Sequence, residues 1–177
     1  MSGARWLFLP VLGAPVLHAP VLRLDLLRGL KRPIDGGRTW RGRRLLGDNK
    51  TWRGALVMTT GPLLATAVLH RFEWYRRRLP VRANPLLLGA ILGVSTVAGE
   101  LPNSLLKRRL GIAPGAQHNA VLTVFDQADF VLTAALLLRP VYRMSARETA
   151  EVFAIVAAAH LPINVIGRVL GVRKSAL

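Results

Sequence analysis

Residues 120–138 read Ala-Val-Leu-Thr-Val-Phe-Asp-Gln-Ala-Asp-Phe-Val-Leu-Thr-Ala-Ala-Leu-Leu-Leu. A helix that crosses a hydrocarbon core of roughly 30 Å needs about 20 mostly apolar residues. This run supplies that length, interrupted only by Asp126, Gln127 and Asp129 as strongly polar groups. Ionised acids are costly in such a segment and are by default functional-site residues. At spacing i, i+3 the two carboxylates share one helix face. Four more apolar runs flank this one, at 6–22, 54–69, 85–101 and 150–170. The chain has 177 residues, a formal net charge of +16, 51% hydrophobic residues and a mean hydropathy of +0.34. A soluble basic nucleic-acid binder would be more polar, and a disordered basic tail would be poorer in Leu and Val. The expected fold class is therefore an all-α integral membrane protein. It has about five transmembrane helices with functional cytoplasmic loops, and residues 1–177 form a single polytopic membrane domain. With no cysteine present, disulfides, thiolate nucleophiles and cysteine metal sites are excluded.

The first run carries Pro10, Pro15 and Pro20, so a broken or re-entrant helix is expected there. A signal peptide fits less well, because only Arg5 precedes the apolar stretch and no clean small-x-small site follows it. Of the 25 cations, ten fall in loop 23–53, and with five spans sixteen lie on the side shared by loops one and three and the C-terminus. The positive-inside rule places that side in the cytoplasm and the N-terminus outside, in a multi-pass cell membrane protein. Arg71, Arg76, Arg77, Arg78 and Arg82 of loop two run against the rule.

Loop one ends in Gly47-Asp48-Asn49-Lys50-Thr51-Trp52-Arg53-Gly54, after Pro33-Ile34-Asp35. Glycines permit close backbone approach, and a helix N-terminus with Lys and Arg favours phosphate. On spacing alone, a phosphate site and a basic loop drawn to anionic lipid are equally good readings. Asp48 stands where a Walker A loop needs Lys. Loop three opens with Glu100, then Ser104 and the cluster Lys107-Arg108-Arg109. Asp126 and Asp129 near a phosphate-binding loop suit a hard divalent cation, Mg²⁺ foremost, which binds through one or two carboxylates plus substrate phosphates. A structural ion pair or a proton relay are the competing readings. His160 and Asn164, one turn apart, read as polar packing between helices, and His18 and His118 carry no stronger signal.

These motifs, taken in order along nearly the whole chain, resemble the CDP-archaeol synthases. That family is related to the CDP-diacylglycerol synthases, or phosphatidate cytidylyltransferases. The matching stretches are His18-Ala19-Pro20-Val21-Leu22, Pro33-Ile34-Asp35, Gly47 to Gly54, Ser104 to Ile112, Asp126-Gln127-Ala128-Asp129-Phe130, and His160 with Asn164 and Gly171. Two features depart from the pattern: Glu100 stands where the family often has Asp, and the first run is unusually rich in proline. The resemblance implies a CTP-dependent cytidylyltransferase that passes CMP to a lipid phosphate and releases pyrophosphate. It implies Mg²⁺ held by Asp126 and Asp129 with Glu100. It gives Asp126, Asp129 and Lys107 catalytic parts. Lys50, Arg53, Lys107, Arg108 and Arg109 then hold the triphosphate and the lipid phosphate, Asp35 and Asp48 support the nucleotide or position those cations, and Thr51 and Ser104 are also substrate-binding. The implied partners are CTP, a lipid phosphate and the bilayer, with no nucleic acid. A homo-oligomer is compatible with the apolar belt that any bilayer requires.

Two readings from other classes accompany this one. A small ion-coupled transporter would use the same intramembrane acids but leaves the Lys/Arg motifs without a role. A non-catalytic lipid-binding scaffold would need the cations but not the carboxylates.

Overall fold

The structure is a computed structural model describing residues 3–79, 83–113, 120–155 and 158, with only the backbone path described for 120–128. His118, His160, Asn164, Gly171, Arg82 and the C-terminal cations lie outside the described residues. The helices are α1 (Ala4–Phe8), α2 (Gly13–Arg23), α3 (Trp52–Leu69), α4 (Glu73–Arg76), α5 (Pro85–Arg109), α6 (Ala120–Tyr142) and α7 (146–155). Among the described residues, Ala4–Arg23 and Pro85–Arg109 are long and apolar enough to cross a membrane.

The proline-rich first run is helical after all, with one change of pitch. Pro10 lies in a 3-10 turn, Leu9–Leu12, that joins α1 to α2. Pro15 falls in the first turn of α2, where its missing N–H has no intrahelical partner to lose, and Pro20 alone is interior. Helix α3 begins at Trp52 because the Thr51 hydroxyl accepts the Gly54 amide at 3.1 Å, a standard N-cap. Helix α5 begins with Pro85 at its first position, behind Asn84, whose side chain accepts the amides of Leu86 and Leu87.

The run expected to end at 101 continues as helix to Arg109. Asn103 to Arg109 contains no helix breaker, and the three cations of the last turn oppose the helix dipole. Gly111, at φ +79°, then closes the helix: its amide reaches the Arg108 carbonyl, and the Ile112 amide reaches that of Lys107. The Lys-Arg-Arg cluster is therefore the end of a helix, and the loop that sequence reading began at 102 starts only after it. Helix α7 opens with a capping box, Ser145 and Glu148 exchanging side-chain and backbone hydrogen bonds.

Helix α5 lies between α3 and α6, and α2 packs on the outer side of α3. The apolar core joins Leu7 and Phe8 of α1 to Leu88 and Leu92 of α5, Val131, Ala134 and Leu138 of α6, and Val152 of α7. Small residues set the closest approaches. A Cβ on Gly93 would lie 2.2 Å from the Thr59 carbonyl oxygen on α3, and one on Gly99 would lie 2.6 Å from the Asp129 carbonyl oxygen on α6. Pro62, inside α3, cannot donate to the carbonyl of Met58. The Thr96 hydroxyl of α5 lies 3.1 Å from that carbonyl and 2.7 Å from its own helix's Gly93 carbonyl. Thr96→Val is thus expected to lower stability by about 1–2 kcal/mol, the cost of an unpaired buried carbonyl. A detergent melting curve that stays within error of the parent would contradict this.

The two ends of the bundle differ in composition. At one end α1 meets α4, with the Tyr75 hydroxyl donating to the Trp6 carbonyl at 3.0 Å. At the other, loop one folds over the C-terminus of α5. Loop one contains a two-stranded hairpin the sequence did not announce, β1 (Thr39–Trp40) against β2 (Arg43–Arg44). Its two-residue turn, Arg41-Gly42, has positive φ at both positions, the geometry that matches strand twist in tight hairpins.

Candidate active site

The chemistry converges on one face of α5. Glu100, Asn103, Ser104, Lys107 and Arg108 recur at spacings of three, four, seven and eight, the period of one helix face. That face turns inward: Ser104, Lys107 and Arg108 are buried, whereas Pro102, Leu105 and Leu106 are exposed. The approach of α6 at Gly99 brings Asp129 against it. The Asn103 side-chain amide donates to Asp129 Oδ2 at 2.9 Å, and the Phe130 amide donates to the other oxygen, Oδ1. The two contacts hold the carboxylate in one orientation. Glu100, one turn before Asn103, accepts from Lys50 Nζ at 2.8 Å. This contact ties loop one to α5 directly at the site.

Loop one is organised around Asp35, whose side chain is almost wholly buried. Its Oδ1 accepts from the Gly37 amide at 3.0 Å and from Arg44 Nη2 at 2.9 Å, and its Oδ2 from the Leu46 and Gly47 amides at 2.9 and 3.2 Å. Burial by itself would raise the Asp35 pKa. The Arg44 hydrogen bond and the three amides outweigh it and hold the carboxyl well below the usual range. Such a group stabilises the fold fully above the unfolded pKa of about 3.9 and loses that contribution as pH falls below it. Asp35→Asn should remove this acid sensitivity and lower stability at neutral pH by about 3 kcal/mol. Parallel melts at pH 7 and pH 3.5 check it, and an unchanged acid dependence in the variant would contradict it.

The remaining motif residues take up distinct positions. Arg44 also pairs with exposed Asp48 at 2.7 Å. Thr51 spends its hydroxyl oxygen on the α3 cap. Arg53 is buried and donates to Asp25 Oδ1 at 2.7 Å and to the Leu26 carbonyl at 3.2 Å, pinning the end of α2 to the start of α3. Arg109 points a different way from Lys107 and Arg108. It donates to the carbonyls of Trp40, Arg43 and Arg44, and its guanidinium lies 5.0 Å from the Trp40 ring centre, so it clamps the hairpin to α5. Lys107 and Arg108 are only 9% and 7% exposed. Arg108 closes on the Ile112 carbonyl, and its Nε has no hydrogen-bond partner among the described residues. A buried guanidinium with a spare donor is suited to an anion.

Sequence reading passed over two residues. Asn103 had a signal in its spacing, three after Glu100 and four before Lys107 on one helix face. Asp25, the only acid between the first run and Asp35, had none, because its partner Arg53 lies 28 positions away.

Among the described residues no three acidic or histidine side chains cluster tightly enough to enclose a metal ion. The side chain of Asp126 lies outside the described residues. The backbone of Asp126 lies in α6 one turn before that of Asp129.

A model of the CarS-like CDP-archaeol synthases matches residues 6–176. The chain belongs to the CDP-archaeol synthase family. It is 36% identical over 164 residues to the CDP-archaeol synthase of Methanococcoides burtonii, covering 84% of this chain and 91% of that one. It is 44% identical over 112 residues to that of Halorubrum lacusprofundi, and there the match spans only 62% of this chain and 60% of the relative. Its fold is similar, with a TM-score of 0.66 and 27% identity over 90% of this chain and 91% of the other, to a solved structure. That structure is described as giving insight into an intramembrane enzyme for archaeal membrane lipids biosynthesis. The resemblance carried by the Gly47–Gly54, Ser104–Ile112 and Asp126–Phe130 motifs is borne out, and with it the enzyme class of a CTP-dependent cytidylyltransferase. These relatives lend no support to the transporter reading.

Proposed function

We propose that the protein transfers CMP from CTP to a membrane lipid phosphate, giving a CDP-lipid and pyrophosphate, with Mg²⁺ as cofactor. The observation that carries this reading is the face of α5. It presents Glu100 and Asn103 toward a carboxylate of α6 and a lysine of loop one, and buries Lys107 and Arg108 one to two turns on. The name of the relatives makes an archaeal diether lipid phosphate the first acceptor to test. The protein spans the membrane with about five helices, loops one and three facing the cytoplasm, and the apolar grooves between helices take the lipid chains.

The reaction needs charge neutralisation and alignment more than covalent help. An oxygen of the lipid phosphate attacks the α-phosphorus of CTP. A new P–O bond forms as the bond to the β-phosphate breaks, and pyrophosphate leaves. No general base is required, because a phosphomonoester with a second pKa of about 6 is already largely ionised near neutral pH. Lys50, Lys107 and Arg108 hold the phosphates. Asp35, Arg53, Thr51 and Arg109 act indirectly, by fixing loop one against α3 and α5, while Asp48 orients Arg44 and Ser104 lines the buried face. The donor set fits a hard cation, being all carboxylate oxygen, with Asp129 pre-oriented by Asn103. Glu100, Asp129 and Asp126 would hold Mg²⁺, which when bound offsets the phosphate charge.

The test is purified protein in detergent with CTP, Mg²⁺ and a panel of ether- and ester-linked lipid phosphates. CDP-lipid from at least one acceptor is the expected result. Its absence across the panel would overturn the proposal.

A further inference from the structure

The cations of loop two run against the charge asymmetry of the other loops, and their surroundings are not those of an aqueous loop. Residues 71–74 and 76–78 are exposed, whereas Tyr75 between them is fully buried and donates to the Trp6 carbonyl. Trp6 and Trp74 meet edge to face with ring centres 6.0 Å apart. The Arg78 guanidinium lies 5.2 Å from the Trp6 ring centre and 5.6 Å from that of Trp74, and Arg5 lies 5.5 Å from Trp6 on α1. Arg78 donates to the Trp74 carbonyl at 2.8 Å, and Arg76 to the His70 carbonyl at 2.6 Å. Each of these guanidiniums is thus oriented through one nitrogen, and a guanidinium has five N–H donors. The one acid of the segment, Glu73, pairs with Arg77 at 2.9 Å, leaving Arg71, Arg76 and Arg78 in excess. Phe72 and Trp74 remain 49% and 43% exposed beside them.

We propose that this end of the bundle, residues 71–78 with Trp6, binds anionic phospholipid headgroups of the leaflet it faces. Exposed aromatic rings are at home at the depth of the headgroups. Oriented guanidiniums match phosphate geometry and retain donors for it. Excess positive charge beside exposed rings complements an anionic bilayer rather than water alone. The surface lies at the opposite end from Lys50, Lys107 and Arg109, so it is separate from the proposed active site and does not depend on it. It also gives the exceptional cations a role: they grip a surface rather than set the orientation of the chain.

The test uses the full chain carrying Trp40→Phe and Trp52→Phe, which leaves Trp6 and Trp74 as the fluorophores. The protein is placed in phosphatidylcholine nanodiscs with graded amounts of phosphatidylglycerol or phosphatidylcholine brominated near the headgroup. Half-quenching is expected at about a tenfold lower mole fraction of the brominated phosphatidylglycerol, as two or more arginines near an anionic surface would give. Arg71→Gln with Arg76→Gln, two of the cations that Glu73 leaves in excess, should bring the two lipids close to equality. Raising the salt should narrow the gap in the parent protein, which keeps the proposal testable if the double variant does not fold. Equal quenching by the two lipids, a preference that survives the double variant, or one indifferent to salt would each overturn it.

Discussion

Asp129→Asn is expected to lower cytidylyl transfer about a thousandfold while leaving the protein folded. The substitution changes almost no volume, but it alters two things at once. It removes the negative charge that the proposed cation site relies on, and loss of metal-derived charge stabilisation costs several kcal/mol at about 1.4 kcal/mol per tenfold in rate. It also turns one acceptor into a donor at a place where both neighbours are donors. Asn103 Nδ2 approaches Oδ2, and the Phe130 amide approaches Oδ1. Unless Asn103 turns its own amide oxygen to the new donor, one of those contacts becomes donor facing donor and the side chain loses its fixed orientation. Initial rates across a Mg²⁺ titration, alongside a melting curve, check the prediction. Parental activity in the variant, with the same Mg²⁺ dependence, would sink the metal assignment.

Lys50→Met is expected to lower kcat/KM for CTP about a hundredfold, with little change in melting temperature. Its ammonium sits 2.8 Å from Glu100 in a partly exposed pair, and pairs in contact with solvent contribute little to stability. A charged hydrogen bond to phosphate contributes about 1.5–3 kcal/mol. The loss should therefore fall on substrate handling and not on folding. Arg53→Met should show the opposite pattern. That guanidinium is buried against Asp25 at the junction of α2 and α3, so its removal should register first in the melt. Kinetics and melts on the two variants separate the roles, and a destabilised Lys50→Met with an unaltered kcat/KM would contradict this account.

The parts of the site that follow from local periodicity were legible in the sequence. Asp126 and Asp129 stand out because acids interrupt an apolar run, and Glu100 because it lies at the membrane end of another; Lys107 was legible only as part of a cation cluster in an expected loop, not as a member of a helix face. What was not legible depends on contacts across the chain. Nothing local says that Arg53 turns to Asp25 while Lys50, three residues earlier, turns to Glu100. Arg109 looks equivalent to Lys107 and Arg108 in a string of three cations. On a helix each step rotates about 100°, so Arg109 leaves the inward face and meets the hairpin instead. The hairpin itself was hidden because Thr39-Trp40 and Arg43-Arg44 are too short to show alternation; only the Arg41-Gly42 turn marked it. The proline content of the first run pointed to a break, yet two of its three prolines sit where a helix tolerates them.

If the α-phosphorus of CTP moves to a lipid phosphate, the two ends of CTP must part company, one into lipid and the other into pyrophosphate. The purified protein is given an archaeal-type diether lipid phosphate with Mg²⁺ and CTP labelled at either the α- or the γ-phosphorus. The expected result is α-label in the lipid fraction and γ-label released in pyrophosphate, in equal amounts. Label from the γ position in the lipid, or hydrolysis of CTP with no label in lipid from either position, would contradict it.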